Sequence, residues 1–281
     1  LSAQLRAGTF HWKPTRRTYI RKANGNKRPL SLPNFTDKLV QEAMRMLLEA
    51  YYEPRFSQYS HGFRPGRSCH TALRQLQYTC RGTKWWIEGD IKGCFDNIDH
   101  TILENILAKD IQDQRFLKLV RQMLKAGYME DWRYHQTYSG TPQGGIVSPL
   151  LANIYLHQFD DFMEELVKEY RTSNKTRKYN PEYNRHSRLI AQARQRGDKQ
   201  EAARLAKAKR KLPVRDAMDP FIRIRFCRYA DDFIVSVIGP KAKAVEIKQR
   251  MSNFLKEQLN LTLSPDKTLI THHTRKAHFL G

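Results

Sequence analysis

Three aspartates stand out as residues that could do chemistry. Asp231 and Asp232 are adjacent in FCRYADDFIVSV (226–237), between two hydrophobic runs, and Asp90 ends the apolar run KWWIEGD (84–90). Neighbouring carboxylates beside buried strands repel each other, and their pKa values rise unless a cation shares the site. A divalent cation resolves that conflict, because carboxylate oxygens are the hard ligands Mg²⁺ prefers and Mg²⁺ keeps positions open for substrate phosphates. An Asp-Asp pair at a hairpin tip is by itself ordinary turn chemistry, and Asp90 alone is weaker still. Their company marks a site: a basic hairpin, a Gly-rich PQGG loop (142–145) and a polycationic chain. Together these point to phosphoryl transfer on nucleotides. One ion would lower the pKa of an attacking 3′-hydroxyl while a second holds the triphosphate and stabilises the leaving pyrophosphate.

Such a site needs strands that meet across 141 residues of sequence. KWWIEGD is aromatic and β-branched up to Gly89 and reads as a buried strand. FIRIRFCRY (221–229) alternates Ile222, Ile224 and Phe226 with Arg223, Arg225 and Cys227, and with FIVSV it predicts a hairpin turning at Ala230, Asp231 and Asp232. YIRKANGNKRPLSLPN (19–34) predicts a second, basic hairpin around Ala23-Asn24-Gly25-Asn26. Helical spacing is expected from Val40 to Glu53 through Val40, Met44, Leu47, Leu48 and Tyr51, with Pro54 after it. A short helix is expected over Cys69–Cys80. Two more follow Asp90, one capped by Asp99 and one ending at Gly127. WRYHQTY (132–138) reads as a strand. Ser148 as N-cap and Pro149 in the first turn open a long helix striped by Leu151, Ile154, Tyr155, Phe159, Phe162, Met163 and Leu166. A helix after Pro240 runs through Val245, Lys248, Met251, Phe254, Leu255 and Leu259, before a closing turn and strand. The order is α+β, with an antiparallel sheet and helices on one side of it.

The chain has 281 residues, enough for one large domain or two connected lobes. Its 50 Lys and Arg against 28 Asp and Glu give a net charge of +22, which implies a polyanionic partner, nucleic acid before membrane. Residues 171–215 hold 15 Lys and Arg but 3 Asp and Glu. They read as an insertion with one or two exposed basic helices, either a solvated excursion or an RNA-binding arm. Cys69, Cys80, Cys94 and Cys227 lack finger or disulfide spacing and are expected as free thiols in a reducing compartment. His272, His273 and His278 have no partner at zinc-like spacing. No apolar run reaches membrane-spanning length and the start LSAQLRAGTF lacks a secretory core. The expectation is a soluble intracellular protein, and the ends at Leu1 and HFLG suggest an excised fragment.

The ordered stretches KRPLSLPN, HGFRPGRS, GDIKGCFDNIDH, TPQGGIVSPLLANIYLHQFD, RYADDF, SPDKT and HFLG resemble reverse transcriptases, specifically the group II intron-encoded maturase type, from about Tyr19 to Gly281. The resemblance implies a right-hand polymerase. Fingers would occupy 1–68 and 98–140, and palm 69–97 and 141–281 with the insertion at about 171–215; the thumb would be absent. It implies RNA-directed DNA synthesis on intron RNA during intron mobility, with a maturase role in splicing. The partners would be intron RNA, an RNA template with DNA primer, and dNTPs, without a membrane, in a bacterial cytoplasm rather than an organelle.

Asp90, Asp231 and Asp232 match the metal-binding carboxylates for two Mg²⁺ ions, with Mn²⁺ able to substitute and the Ile91 carbonyl as an extra ligand. Lys22 and Arg28 match residues that grip the incoming triphosphate, as a mobile ammonium and a forked guanidinium suit. Gln143 matches the glutamine beside the nucleotide. Lys267 resembles a lysine that protonates pyrophosphate, though an exposed turn lysine reads equally well. Phe95 matches the aromatic gate under the sugar. Candidate RNA contacts are Arg64 and Arg67 in the HGFRPGRS loop, and Arg177, Lys178, Arg185, Arg188, Arg204, Lys207, Lys209, Arg210 and Lys211 in the insertion.

Overall fold

In the computed structural model, which describes residues 1–21, 25, 27–172, 177–216 and 221–280, a short helix α1 (Ser2–Ala7) precedes the hairpin β1 (Thr15–Arg21) and β2 (Lys27–Leu32). The strands pair antiparallel from Arg16 opposite Leu32 to Arg21 opposite Lys27. Of the expected turn, Ala23, Asn24 and Asn26 lie outside the described residues, as does Lys22. Asn34 then caps α2 (Phe35–Tyr52) by accepting from the Asp37 amide at 2.9 Å, a contact worth about 1 kcal/mol. The cap starts the helix at Phe35 rather than Val40. Its buried arc runs through Val40, Gln41, Met44, Leu48 and Tyr52, so Leu47, expected on the stripe, falls on the flank and is 65% exposed.

Among the described residues the further α-helices and strands are α3 (Cys69–Thr79), β3 (Trp85–Asp90), α4 (His100–Asp110), α5 (Gln114–Leu124), β4 (Tyr128–Glu130), β5 (Arg133–His135), α6 (Ser148–Glu169), α7 (Pro181–Gln195), α8 (Lys199–Lys209), β6 (Arg223–Tyr229), β7 (Asp232–Ile238), α9 (Lys241–Leu259) and β8 (Ile270–His272). Asp99 caps α4 as expected, accepting from Thr101 and Ile102. Ser148 does not cap α6. Val147 holds that position, and the Ser148 hydroxyl is buried inside the first turn without a partner. Val245, expected in the stripe of α9, is half exposed because Ala244, Ile247, Met251, Leu255 and Leu259 form the buried arc.

Among the described residues two four-stranded sheets form, ordered β2-β1-β4-β5 and β6-β7-β3-β8. The second is antiparallel throughout. The first contains a parallel pair, β1 with β4, which no local pattern announces. One face of the second sheet, with Ile224, Phe226, Phe233 and Val235, joins Phe159 of α6 and Met251 and Leu255 of α9 in the main core. Helices do not lie on that side alone. Cys227 and Ile234, paired on the opposite face, pack against Ala72 of α3 and form a small second cluster there. No helix among the described residues is long and apolar enough to cross a membrane, and the four cysteines are free.

Candidate active site

The antiparallel register of β3 with β7 sets Asp90 directly opposite Asp232. Side chains at such a pair share a face at about 5 Å between Cβ atoms. Asp231 occupies the turn between β6 and β7, beside Ala230 with φ 55°. The Ile91 amide donates to the Asp231 carbonyl at 3.3 Å, and the Ser264 amide to the Asp90 carbonyl at 2.8 Å. These bonds tie the end of β3 to the turn on one side and to the SPDKT segment on the other. From that segment Lys267 Nζ reaches both carboxylate oxygens of Asp90 at 3.0 Å.

Three acids facing one ammonium leave the site short of positive charge. Burial pushes the Asp231 carboxyl up, Asp90 adds to the effect, and Lys267 and Arg28 oppose it. Asp232 is pushed up to about 6, first by burial, then by the charges of Asp231 and Asp90 and a hydrogen bond with Asp90. The hydrogen bond to Asp90 raises Lys267. Hard oxygen donors destabilised by burial and mutual repulsion suit a divalent cation. Among the described residues no three His, Cys, Asp or Glu side chains form a ready-made metal cage. Mg²⁺ does not require one, since it is commonly held by one or two carboxylates plus substrate phosphates. The donor set fits.

A cleft of about 580 Å³ gathers the expected residues: Arg28, Asp90, Ile91, Phe95, Gln143, Asp231, Asp232 and Lys267 all line it. Lys22 lies outside the described residues. Phe95 is half buried, and its ring meets Phe63 edge-on at 6.1 Å. The PQGG loop is stitched to β2 through the Ser31 amide, which donates to the Gln143 carbonyl at 2.6 Å. That approach requires Gly144. With φ 105°, a Cβ there would sit 2.8 Å from the Ser31 carbonyl oxygen. Gln143 Nε2 donates to Asp96 at 2.8 Å, forming a wall shared with a second cleft of about 450 Å³ under Arg17, Tyr19, Tyr128 and Tyr138.

The candidate RNA contacts divide. Arg64 is turned inward, 8% exposed, donating to Glu53 and to the Ser57 and Ser60 carbonyls. It staples the loop and leaves the set of surface contacts. Arg67 is half buried and donates to the Gln58 carbonyl at 2.7 Å. Arg185, Arg188, Lys207, Arg210 and Lys211 are exposed on or beside α7 and α8. Arg204 pairs with Glu201, Lys209 lies over Tyr183, and Arg177 reaches the Asp216 carbonyl. Lys178 is exposed, and its carbonyl accepts from the Asp216 amide.

Behind the turn lies a buried polar cluster that the local sequence patterns did not lead one to expect. Arg228 and Asp160 are both 0% exposed and paired at 2.5 Å, with Asn153 and Ser60 completing the bonds. The signal was present: Arg228 continues the core register of Ile224 and Phe226, and Asn153 and Asp160 lie two turns apart on the apolar face of α6.

Known proteins resemble this chain in sequence and in fold. Over 286 residues the chain is 46% identical to the group II intron-encoded protein LtrA of Lactococcus lactis subsp. cremoris, covering 99% of this chain and 48% of that protein. It is 45% identical to an uncharacterized 91 kDa protein in the cob intron of Schizosaccharomyces pombe, covering 99% of this chain and 35% of that one. The chain thus spans half or less of these relatives. Telomerase from Candida albicans, solved in complex with a TWJ fragment of telomeric RNA, shares the fold at TM-score 0.56 and 12% identity, over 98% of this chain and 44% of that one. The profile described as reverse transcriptase (RNA-dependent DNA polymerase) matches residues 20–180 and 189–281, spanning all three aspartates, and by that match the chain belongs to the reverse transcriptase family.

Proposed function

We propose that this chain is the fingers and palm of a group II intron reverse transcriptase, copying intron RNA into cDNA from dNTPs during intron mobility. The observation that carries the reading is the register placing Asp90 against Asp232 and the Asp231 turn, in a chain 46% identical to an intron-encoded protein. Residues 1–68 and 98–140 serve as fingers, and 69–97 and 141–281 as palm. When bound, two Mg²⁺ ions, or Mn²⁺ in their place, supply Lewis acidity to the attacking hydroxyl and the leaving pyrophosphate.

The residues of the chain do the positioning. Asp90, Asp231 and Asp232, with the Ile91 carbonyl, supply oxygen donors. Arg28 on β2 grips the triphosphate together with Lys22, and Gln143, oriented by Asp96, borders the nucleotide. The Phe95 ring fills the space that a 2′-hydroxyl would need. Lys267, which pairs with Asp90, would have its ammonium free to donate a proton to pyrophosphate were Asp90 engaged by a cation. The test is primer extension on an RNA template with the full-length protein, with and without Mg²⁺. Asp231→Ala with Asp232→Ala should lower incorporation by about 10³-fold or more with the fold intact. Retained incorporation rejects the site.

A second role rests on a separate observation, the exposed cations of α7 and α8. The chain also binds intron RNA through this hairpin and so assists splicing, in an intron ribonucleoprotein of the bacterial cytoplasm, a setting supported by the Lactococcus relative. Phosphate contacts of this kind make affinity fall steeply with salt.

A further inference from the structure

Arg228 takes no part in the polymerase reading, yet the chain commits a great deal to it. The residue is 0% exposed. Its Nε and Nη2 donate to Asp160 at 2.7 and 2.5 Å, Nη2 also to Ser60 Oγ at 2.8 Å, and Nη1 to Asn153 Oδ1 at 3.2 Å. The remaining bond runs from Nη1 to the Ala230 carbonyl at 2.9 Å. That carbonyl and the Asp231 amide belong to one planar peptide unit. The guanidinium therefore fixes the peptide plane from which the Asp231 side chain projects.

The turn needs such support. Ala230 has φ 55°, a left-handed conformation that a side-chain-bearing residue holds only when its surroundings enforce it. The loop before α3 presses on it from the other side. The Arg228 amide donates to the Tyr59 carbonyl at 2.8 Å and the His61 amide to the Arg228 carbonyl at 2.9 Å. Asn153 Nδ2 holds the Gly62 carbonyl at 2.8 Å. A Cβ on Gly62 would fall 2.3 Å from the Ala230 nitrogen.

We propose that Arg228 is a positioning residue for nucleotidyl transfer: its fork, anchored on Asp160 and Asn153, holds the Ala230–Asp231 peptide plane and thereby aims the Asp231 carboxylate. Lysine cannot replace it, because one ammonium cannot span Asp160 and the Ala230 carbonyl in the fixed geometry of a guanidinium. The inference rests on the polymerase reading for its effect on rate and on the fold alone for its effect on the turn.

The test uses Arg228→Lys, Gly62→Ala and Leu117→Ala in the full-length protein. Leu117→Ala is a destabilised control in α5, remote from the turn. Arg228→Lys should lower kcat for single-nucleotide incorporation by about 10-fold or more with the KM for dNTP within about twofold. It should speed hydrogen exchange over 229–233 and weaken Mn²⁺ binding by about fivefold or more, as expected of a lost supporting contact. Gly62→Ala keeps every Arg228 side-chain donor while pressing on Ala230, and should act in the same direction. Leu117→Ala should lower thermal stability and leave kcat unchanged. Wild-type kcat and exchange in Arg228→Lys, or in Gly62→Ala where the lysine variant does not fold, overturn the proposal. So does an equal loss of kcat in Leu117→Ala. Failure of the wild type to incorporate dNTPs would sink the polymerase reading instead, and exchange over 229–233 would still decide what Arg228 does.

Discussion

The β6–β7 hairpin and the α7–α8 hairpin both carry arginine and use it in opposite ways. Arg228 in β6 is sealed from solvent, and each of its nitrogens has a protein partner. Arg185 and Arg188 on α7 and Lys207 on α8 face solvent, and the helices are joined by a thin seam of Ile190, Ala193 and Ala202. A buried guanidinium is scaffolding, because leaving it without its partner costs about 3–5 kcal/mol. An exposed one contributes little to the fold and is available to a polyanion. Charge count does not separate these uses, whereas register does.

The separation can be broken experimentally. Changing Arg185, Arg188, Lys207, Arg210 and Lys211 to Gln should weaken intron RNA binding by about 10- to 100-fold at low salt. Each cation removed should make the slope of log K against log salt shallower by about one unit. Incorporation on a bound primer-template should not change, and unaltered affinity and slope would dismiss the basic arm. Within the cleft, Phe95→Val should relax discrimination against ribonucleotides by roughly 10-fold or more, read as the ratio of kcat/KM for dNTP and rNTP. Unchanged discrimination would place the sugar elsewhere.

The smallest effect concerns pH. Asp232 is raised to about 6 in the folded chain, against about 3.9 for an unfolded aspartate. The folded state thus holds the extra proton. Without divalent cation, this group's contribution to stability is complete below about pH 4 and is lost as pH rises through about 6. Asp232→Asn should raise metal-free stability at pH 7 by about 1 kcal/mol, less than the full two-unit shift would give because the part-exposed carboxylate is screened by solvent, and should have little effect at pH 4. Thermal unfolding in chelator at the two pH values reads the difference, and no difference would mean that neither burial nor the neighbouring carboxylates raise Asp232.

Much of this was legible in local patterns. The strand ending at Asp90, the hairpin turning at Ala230, the cap at Asp99 and the two basic helices follow from alternation, turn residues and helix formers. What escaped was decided by distant partners. The parallel pairing of Thr15 with Tyr128 and the covering of Cys227 by Ala72 depend on tertiary approach. Arg64 looked like a surface cation because its loop is turn-rich and basic, and the Glu53 carboxylate that draws it inward belongs to the end of the preceding helix region. Leu47 and Val245 were misplaced by the breadth of the buried arc, which spacing alone does not fix.

The central claim is that Asp90 and the Asp231–Asp232 turn hold shared cations. Anomalous diffraction from crystals of the protein with Mn²⁺ and an unreactive dNTP analogue tests it most directly. The account predicts peaks about 2.0–2.2 Å from carboxylate oxygens of both Asp90 and Asp231, with Lys267 displaced from Asp90. Peaks elsewhere, or Asp90 still bound to Lys267 alone with the nucleotide in place, would contradict it.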